Sequence, residues 1–256
     1  MAVVIGGGSG LGRAVAKTLA RQGARVVVAD FDAPRMERTV EEVLRLGTAD
    51  AAIALSADVS SDASVRSLAR DAIKAMGRVD IVVNAAGVLL QGKLERITGD
   101  DWTWMLETNL VGAVRTSTAF LPHMLSRGSG HIVNVVSHGG LVPRDDSSLP
   151  YDTGHAAVAV FSEGLARRLK GTGVVASIFC PGSTGPRIGQ NTRSRGIGRI
   201  FRGADTGPDA SSQLDQLAGA LVDGLHHRTF LILGDQSEAD VFRGRWDQVD
   251  ANSSSL

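Results

Sequence analysis

The segment YDTGHAAVAVFSEGLA, Tyr151 to Ala166, sets the chain's only tyrosine four residues before His155. At that spacing in a helix the two rings share one face. A free phenol ionises near pKa ~10, too high for a good base at neutral pH, whereas imidazole titrates near ~6.5. An imidazolium at position 155 would stabilise a phenolate at Tyr151; a neutral imidazole would instead hydrogen-bond a ligand hydroxyl and relay a proton through water. Tyr151 and His155 are therefore a candidate acid/base pair. The alternative is a helix histidine in a site that has lost its chemistry, and the sequence leaves both open.

A second stretch with chemical meaning is IGGGSGLG, Ile5 to Gly12, whose spacing is Gly6-x-x-x-Gly10-x-Gly12 with Ser9 and Leu11 between. After a strand and before a helix, such glycines let the backbone approach a pyrophosphate, and the helix N-terminus supplies N–H groups. A merely structural tight turn would look the same. Asp30, 18 residues past Gly12, strengthens the ligand reading. An acid there hydrogen-bonds the adenosine ribose 2′-OH and repels a 2′-phosphate. The next four residues, FDAP, contain no Arg or Lys, so NAD(H) is expected over NADP(H).

The elements that must position these residues are legible as short apolar runs: AVVI, RVVVAD, AAIAL, VDIVVN, HIVNVV, VVASIF and TFLIL. Rich in Val and Ile and without polar alternation, they read as strands covered on both faces. Helical segments separate them. GRAVAKTLARQG is closed by Gly23, and SDASVRSLARDAIKAMG runs from cap candidates Ser61 and Asp62 to Gly77. The expectation is a doubly wound α/β fold with a seven-stranded parallel sheet, a Rossmann fold, as one domain over residues 1–247. Residues 187–208, rich in Gly and Arg, break the rhythm and are expected to form a substrate loop or lid. Residues 248–256 read as a polar tail.

Lys+Arg and Asp+Glu both number 27, so the chain lacks the basic field of a nucleic-acid binder. A single cysteine, Cys180, excludes an intrachain disulfide and reads as a buried structural thiol. Neither His123 nor His226–His227 has metal-ligand spacing, so no metal site is expected. The N-terminus shows no basic region or long apolar stretch, and no run is long enough to span a bilayer. No membrane association and a cytoplasmic location are the expectations.

Taken in order, the motifs resemble those of the short-chain dehydrogenase/reductase family over roughly residues 2–235. GGGSGLG is similar to that family's TGxxxGxG loop, with Ile5 where threonine is usual. ADV matches its adenine-side element, which implies a contact from Asp58 beside Val59. NAAG corresponds to its N-A-G signature and implies that Asn84, Ala85 and Gly87 steady the sheet and lie against the cofactor. TNLVGA sets Asn109 at the catalytic asparagine, GHIVNVVS sets Ser137 at the catalytic serine, and Tyr151 falls at the tyrosine of Y-x-x-x-K. CPG aligns Pro181 and Gly182 with the pair beside the nicotinamide, and Thr184 stands for the threonine that follows. Three departures are visible: His155 for lysine, a gap of 14 residues between Ser137 and Tyr151, and STGPR after the proline-glycine pair.

The resemblance implies an NAD(H)-dependent oxidoreductase that interconverts a secondary alcohol and a ketone. In that assignment Tyr151 is the acid/base, Ser137 polarises the substrate oxygen and Asn109 orients a water toward position 155. His155 stands in for the lysine that charges the site and holds the nicotinamide ribose. It also implies a small-molecule substrate and a homotetramer or homodimer. The arginines of residues 187–208 read either as an anion-binding set or as a solvated loop. The competing reading of the whole chain is a weakened or inactive NAD-binding regulator, or a partner subunit of an active homologue.

Overall fold

The computed structural model describes residues 1–46, 52–141, 146–182, 191–198 and 208–235. The chain begins β1 (Ala2–Ile5), α1 (Gly10–Arg21), β2 (Val26–Asp30), α2 (Ala33–Leu44), β3 (Ala52–Ser56), α3 (Asp62–Met76) and β4 (Ile81–Asn84). It continues with β5 (Leu89–Gly92), α4 (Gly99–Leu106), a π-helical turn at Glu107–Val111, α5 (Gly112–Arg127), β6 (Gly130–Val135) and α6 (Leu149–Leu169). The last elements are β7 (Val174–Cys180), β8 (Thr192–Arg195), α7 (Pro208–His227) and β9 (Leu231–Leu233).

Seven strands pair in the order β3-β2-β1-β4-β6-β7-β9, all parallel, and each holds one of the seven apolar runs. Strand side chains alternate between faces, so a strand buried on both sides needs apolar residues throughout. Val4, Val26, Val28, Val83 and Val133 pack on one face with Val15, Leu19, Leu217 and Leu221 of α1 and α7. Val3, Ile5, Val27, Val82 and Ile132 pack on the other with Leu68, Phe120, Met124 and Leu165 of α3, α5 and α6. This is the doubly wound Rossmann arrangement.

Helix limits follow local chemistry. Ser61 caps α3 by accepting from Ser64 N at 3.3 Å, and Gly77 ends it in the left-handed region at φ 76°, as Gly23 does after α1 at φ 82°. One pairing was not anticipated. Thr192–Arg195 is a strand, paired in parallel with Leu89–Gly92, so part of the expected 187–208 loop is ordered β structure. Residues 199–207, with 187–190, lie outside the described residues, as does the tail. Among the described residues no helix is long and apolar enough to cross a membrane.

Candidate active site

The glycine loop lies between β1 and α1, at the carboxyl end of the central strand. Gly6 has φ 78°, and a Cβ there would stand 2.6 Å from Ala86 N, so the loop rests on the backbone after β4. A Cβ at Gly12 would collide with the Gly6 carbonyl, which forces a bare residue in the first turn of α1. Gly10, at φ 50°, faces open space instead. Ser9 is the N-cap but makes no side-chain cap bond, and the first turn of α1 has no acid. The loop thus presents a helix N-terminus with open room and no competing carboxylate, a surface that suits a pyrophosphate.

Asp30 ends β2 directly beside that loop. It is buried, Oδ2 accepts from Gly8 N at 2.9 Å, and Oδ1 accepts from Asp32 N at 3.1 Å. Two acceptor sites therefore fix the carboxylate, and its remaining lone pairs can take a ribose hydroxyl. The first cation after it is Arg35, one residue beyond the FDAP window. Arg35 Nε lies 2.9 Å from Asp32 Oδ2, so its charge is partnered by its own helix start. After β3, Asp58 is exposed and uses Oδ1 to accept from Ser60 N at 2.9 Å, while Val59 packs under Gly112. Ala85 is tied to β1 by donating to the Ile5 carbonyl at 2.9 Å, and Leu11 packs against the core below α1.

Asn84 serves the interior. Its Nδ2 donates to Asn134 Oδ1 at 2.7 Å, and its Oδ1 accepts from Thr116 at 2.6 Å. Asn134 in turn donates to Ser162 Oγ at 2.8 Å, so one buried polar chain joins β4, β6, α5 and α6. Thr116, Asn134 and Ser162 were not singled out from sequence. The available signal was a polar residue inside HIVNVV. Asn109 occupies the π-helical turn, the kind of helix defect that often marks functional positions. Its Oδ1 accepts from Val88 N at 2.8 Å and its Nδ2 donates to the Val88 carbonyl at 2.9 Å, with Gly87 directly above the amide.

Ser137 follows β6 and caps a short 3₁₀ turn, accepting from Gly139 N at 3.3 Å. That turn packs on α6 through two bare residues. A Cβ at Gly140 would lie 2.5 Å from His155 Cβ, and one at Gly139 would enter the Asp152 carboxylate. The Ser137 turn is thereby seated on the face of α6 that carries Tyr151 and His155. Those two rings meet edge to face, with centroids 4.4 Å apart.

His155 is buried and neither ring nitrogen has a hydrogen-bond partner. The ring borders a small cavity lined also by Asn84, Thr108, Asn109 and Thr116. Burial pushes its pKa down to about 4, so the imidazole is neutral at physiological pH. Burial also drives the Tyr151 phenol well above its ordinary value, and the nearby Asp152 and Cys180 charges add to the rise. Of the two states considered for position 155, the neutral ring is the one this environment favours.

A second buried imidazole lies at the far end of the sheet. His131 Nε2 donates to Ser177 Oγ at 2.7 Å, because the serine hydroxyl itself donates to the Thr229 carbonyl at 2.7 Å. Burial lowers its pKa to about 3. Both histidines are depressed below the unfolded value of ~6.5, so their contribution to stability is complete above that pH. Between about pH 6 and 4 the unfolded chain binds two protons that the folded chain refuses. Stability is expected to fall by about 2–3 kcal/mol per pH unit across that window. Urea unfolding at pH 7, 6 and 5 checks this, and a midpoint that does not move would refute it.

Thr184 lies outside the described residues. Pro181, the residue after β7, is buried, and Gly182 has φ 78° with the Asp235 Cβ 3.2 Å from where its own would be. The arginine set is not a free anion site in its described part. Arg195 and Arg193 both face the Asp101 carboxylate, at 2.6 and 3.6 Å. Among the described residues no group of three potential metal ligands comes together.

Residues 1–196 match the family model for short chain dehydrogenase. An uncharacterized oxidoreductase of Staphylococcus aureus is 34% identical over 182 residues, covering 71% of this chain and 77% of its own. A short-chain dehydrogenase/reductase of Burkholderia phymatum, solved in complex with NAD, superposes with a TM-score of 0.80 at 29% identity, over 97% of this chain and 94% of its own. A metagenomic short-chain oxidoreductase in complex with NADP gives 0.73 at 26% identity, over 91% and 95%. A parallel seven-stranded sheet, a glycine loop seated on NAAG and a family match that runs through both Ser137 and Tyr151 lead to one assignment: this chain belongs to the short-chain dehydrogenase/reductase family of oxidoreductases.

Proposed function

We propose that the protein is an NAD(H)-dependent oxidoreductase that interconverts a secondary alcohol and a ketone, with Tyr151 exchanging the proton at the substrate oxygen. The observation that carries this reading is the seating of the Ser137 turn on the Tyr151–His155 face of α6 through Gly139 and Gly140. The nicotinamide, when bound, supplies or accepts the hydride. Ser137 donates a hydrogen bond to the carbonyl oxygen and polarises it. Tyr151 delivers its proton to the same oxygen as negative charge develops there. Reduction needs a protonated phenol, which is the state its burial favours. The alkoxide formed by hydride addition is far more basic than a phenolate, so a weakly acidic phenol still protonates it. His155, neutral, offers a ring nitrogen to a ribose hydroxyl or to a water beside Asn109.

Related proteins have been solved with either cofactor; Asp30 supports NAD(H) here, since a carboxylate at that place accepts from a ribose 2′-OH and repels a 2′-phosphate. A calorimetric titration of both reduced cofactors tests this. NADH is expected to bind at least tenfold tighter than NADPH, and Asp30→Ala to remove most of the difference, as one charge-assisted hydrogen bond contributes roughly 1.5–3 kcal/mol. Equal or tighter binding of NADPH by the unaltered protein would contradict it. We further propose a homodimer or homotetramer acting on a small molecule.

A second reading has its own support. Position 155 carries no charge at neutral pH, so the phenolate lacks the partner charge that the lysine provides in the family. A cofactor-binding regulator or partner subunit without turnover would tolerate that loss. NADH binding without reduction of any ketone in a broad panel would favour it.

A further inference from the structure

We propose that Asp101 is a positioning residue: with Arg195 and Arg193 it clamps β8 onto the start of α4, and so fixes the β5–β8 ladder next to Asn109 as a wall against which substrate binds. This rests on the oxidoreductase reading only for its kinetic consequences. The clamp itself is geometric. Asp101 is 1% exposed. Its Oδ2 accepts from Arg195 Nε at 2.8 Å and its Oδ1 from Arg195 Nη2 at 2.6 Å, a two-pronged pairing that sets orientation as well as distance. Arg193 Nη1 stands 3.6 Å from the same carboxylate, and its guanidinium carbon lies 3.9 Å over the Trp104 ring one turn along α4. The carboxylate also completes the cap of α4, since Thr98 N donates to Oδ2 at 3.2 Å and Asp101 N donates to Thr98 Oγ1 at 3.2 Å.

What the clamp holds is close to the chemistry. β8 pairs residue by residue with β5, from Leu89↔Thr192 to Gly92↔Arg195, and Gln91 Nε2 donates to Ser194 Oγ at 3.0 Å. Gly92 admits the Arg195 backbone so closely that any side chain there would collide with it. β5 begins one residue after Val88, whose N–H and C=O are both held by the Asn109 amide. A two-stranded ladder of four residues is marginal without outside support. Arg193, Ser194 and Arg195 of β8 are therefore anchored by side chains, and the two arginines share one buried acid, 94 residues before Arg195.

Arg195→Gln removes the two-pronged pairing and leaves the α4 cap in place. The double variant Asp101→Asn/Arg195→Gln removes the pairing without burying an uncompensated carboxylate, and it leaves Arg193, which is partly exposed, over the Trp104 ring. Both are expected to raise KM for a ketone about tenfold while kcat falls less than threefold, because a displaced wall weakens binding before it weakens chemistry. NADH affinity is expected to hold. Tryptic cleavage after Arg193 is expected to speed up about tenfold, since a released strand opens locally more often. Thr98→Ala, which removes only the cap hydroxyl, should lower Tm without moving KM. The clamp is overturned if both variants keep the KM and cleavage rate of the unaltered protein, or if they change Tm alone. Cleavage is read without substrate, so faster cleavage in a protein with no turnover supports the clamp and refutes the oxidoreductase reading separately.

Discussion

Tyr151→Phe is expected to lower the rate of ketone reduction by about 10²–10⁴-fold, the usual loss when a positioned general acid is removed. The substitution deletes one oxygen and keeps the ring. The edge-to-face contact with His155 at 4.4 Å therefore persists, and so does the packing of the Ser137 turn on α6. NADH affinity should stay within about twofold, because the cofactor contacts proposed for the glycine loop and Asp30 do not involve the phenol oxygen. A stopped-flow comparison of both forms with the same ketone reads this directly. Undiminished reduction by the phenylalanine form would remove Tyr151 from the chemistry. No reduction by either form would leave the regulator reading in possession.

The second large effect is expected from His155→Lys. An ammonium within about 4–6 Å of a phenol lowers its pKa by about 1–3 units. Alcohol oxidation, which requires the phenolate as base, should then rise by about 10–10³-fold at pH 7. Reduction should change much less, since it uses the protonated phenol. The cavity beside residue 155 is lined by Asn84, Thr108, Asn109 and Thr116, so a longer cationic side chain would meet polar atoms there. The signature is thus a directional one in kcat: with saturating substrates the ratio of oxidation to reduction rises with the lysine, while the ratio of the two kcat/KM values stays fixed by the reaction's equilibrium. If both directions stay unchanged, position 155 has no electrostatic link to Tyr151.

The sequence carried the sheet almost completely, because strands covered on both faces must be apolar at every position and such runs stand out. The breaks after α1 and α3 were equally legible, since Gly23 and Gly77 sit in left-handed turns that favour glycine. β8 was not. TRSR has no strand character of its own and is held by a carboxylate far away in sequence, so its pairing is a tertiary fact. For the same reason Arg193 and Arg195 looked available for a substrate anion and are instead engaged with Asp101. The residues of the site were readable as types and spacings. The charge state of His155 was not, because it depends on the Gly140 backbone pressing on its Cβ and on burial without a hydrogen-bond partner. Asn134 and Ser162 lie inside apolar patterns, where only a contact map reveals that they bond to each other.

A neutral histidine beside a protonated phenol is the central feature of the proposed chemistry. Tyr151 is the only tyrosine, so its ionisation can be followed alone by ultraviolet absorbance, free and with saturating NAD⁺. The prediction is that the phenolate band stays absent up to pH ~10 in both states. A phenolate appearing between pH 7 and 9 with cofactor bound would contradict it, and would show that the site prepares a base without the lysine.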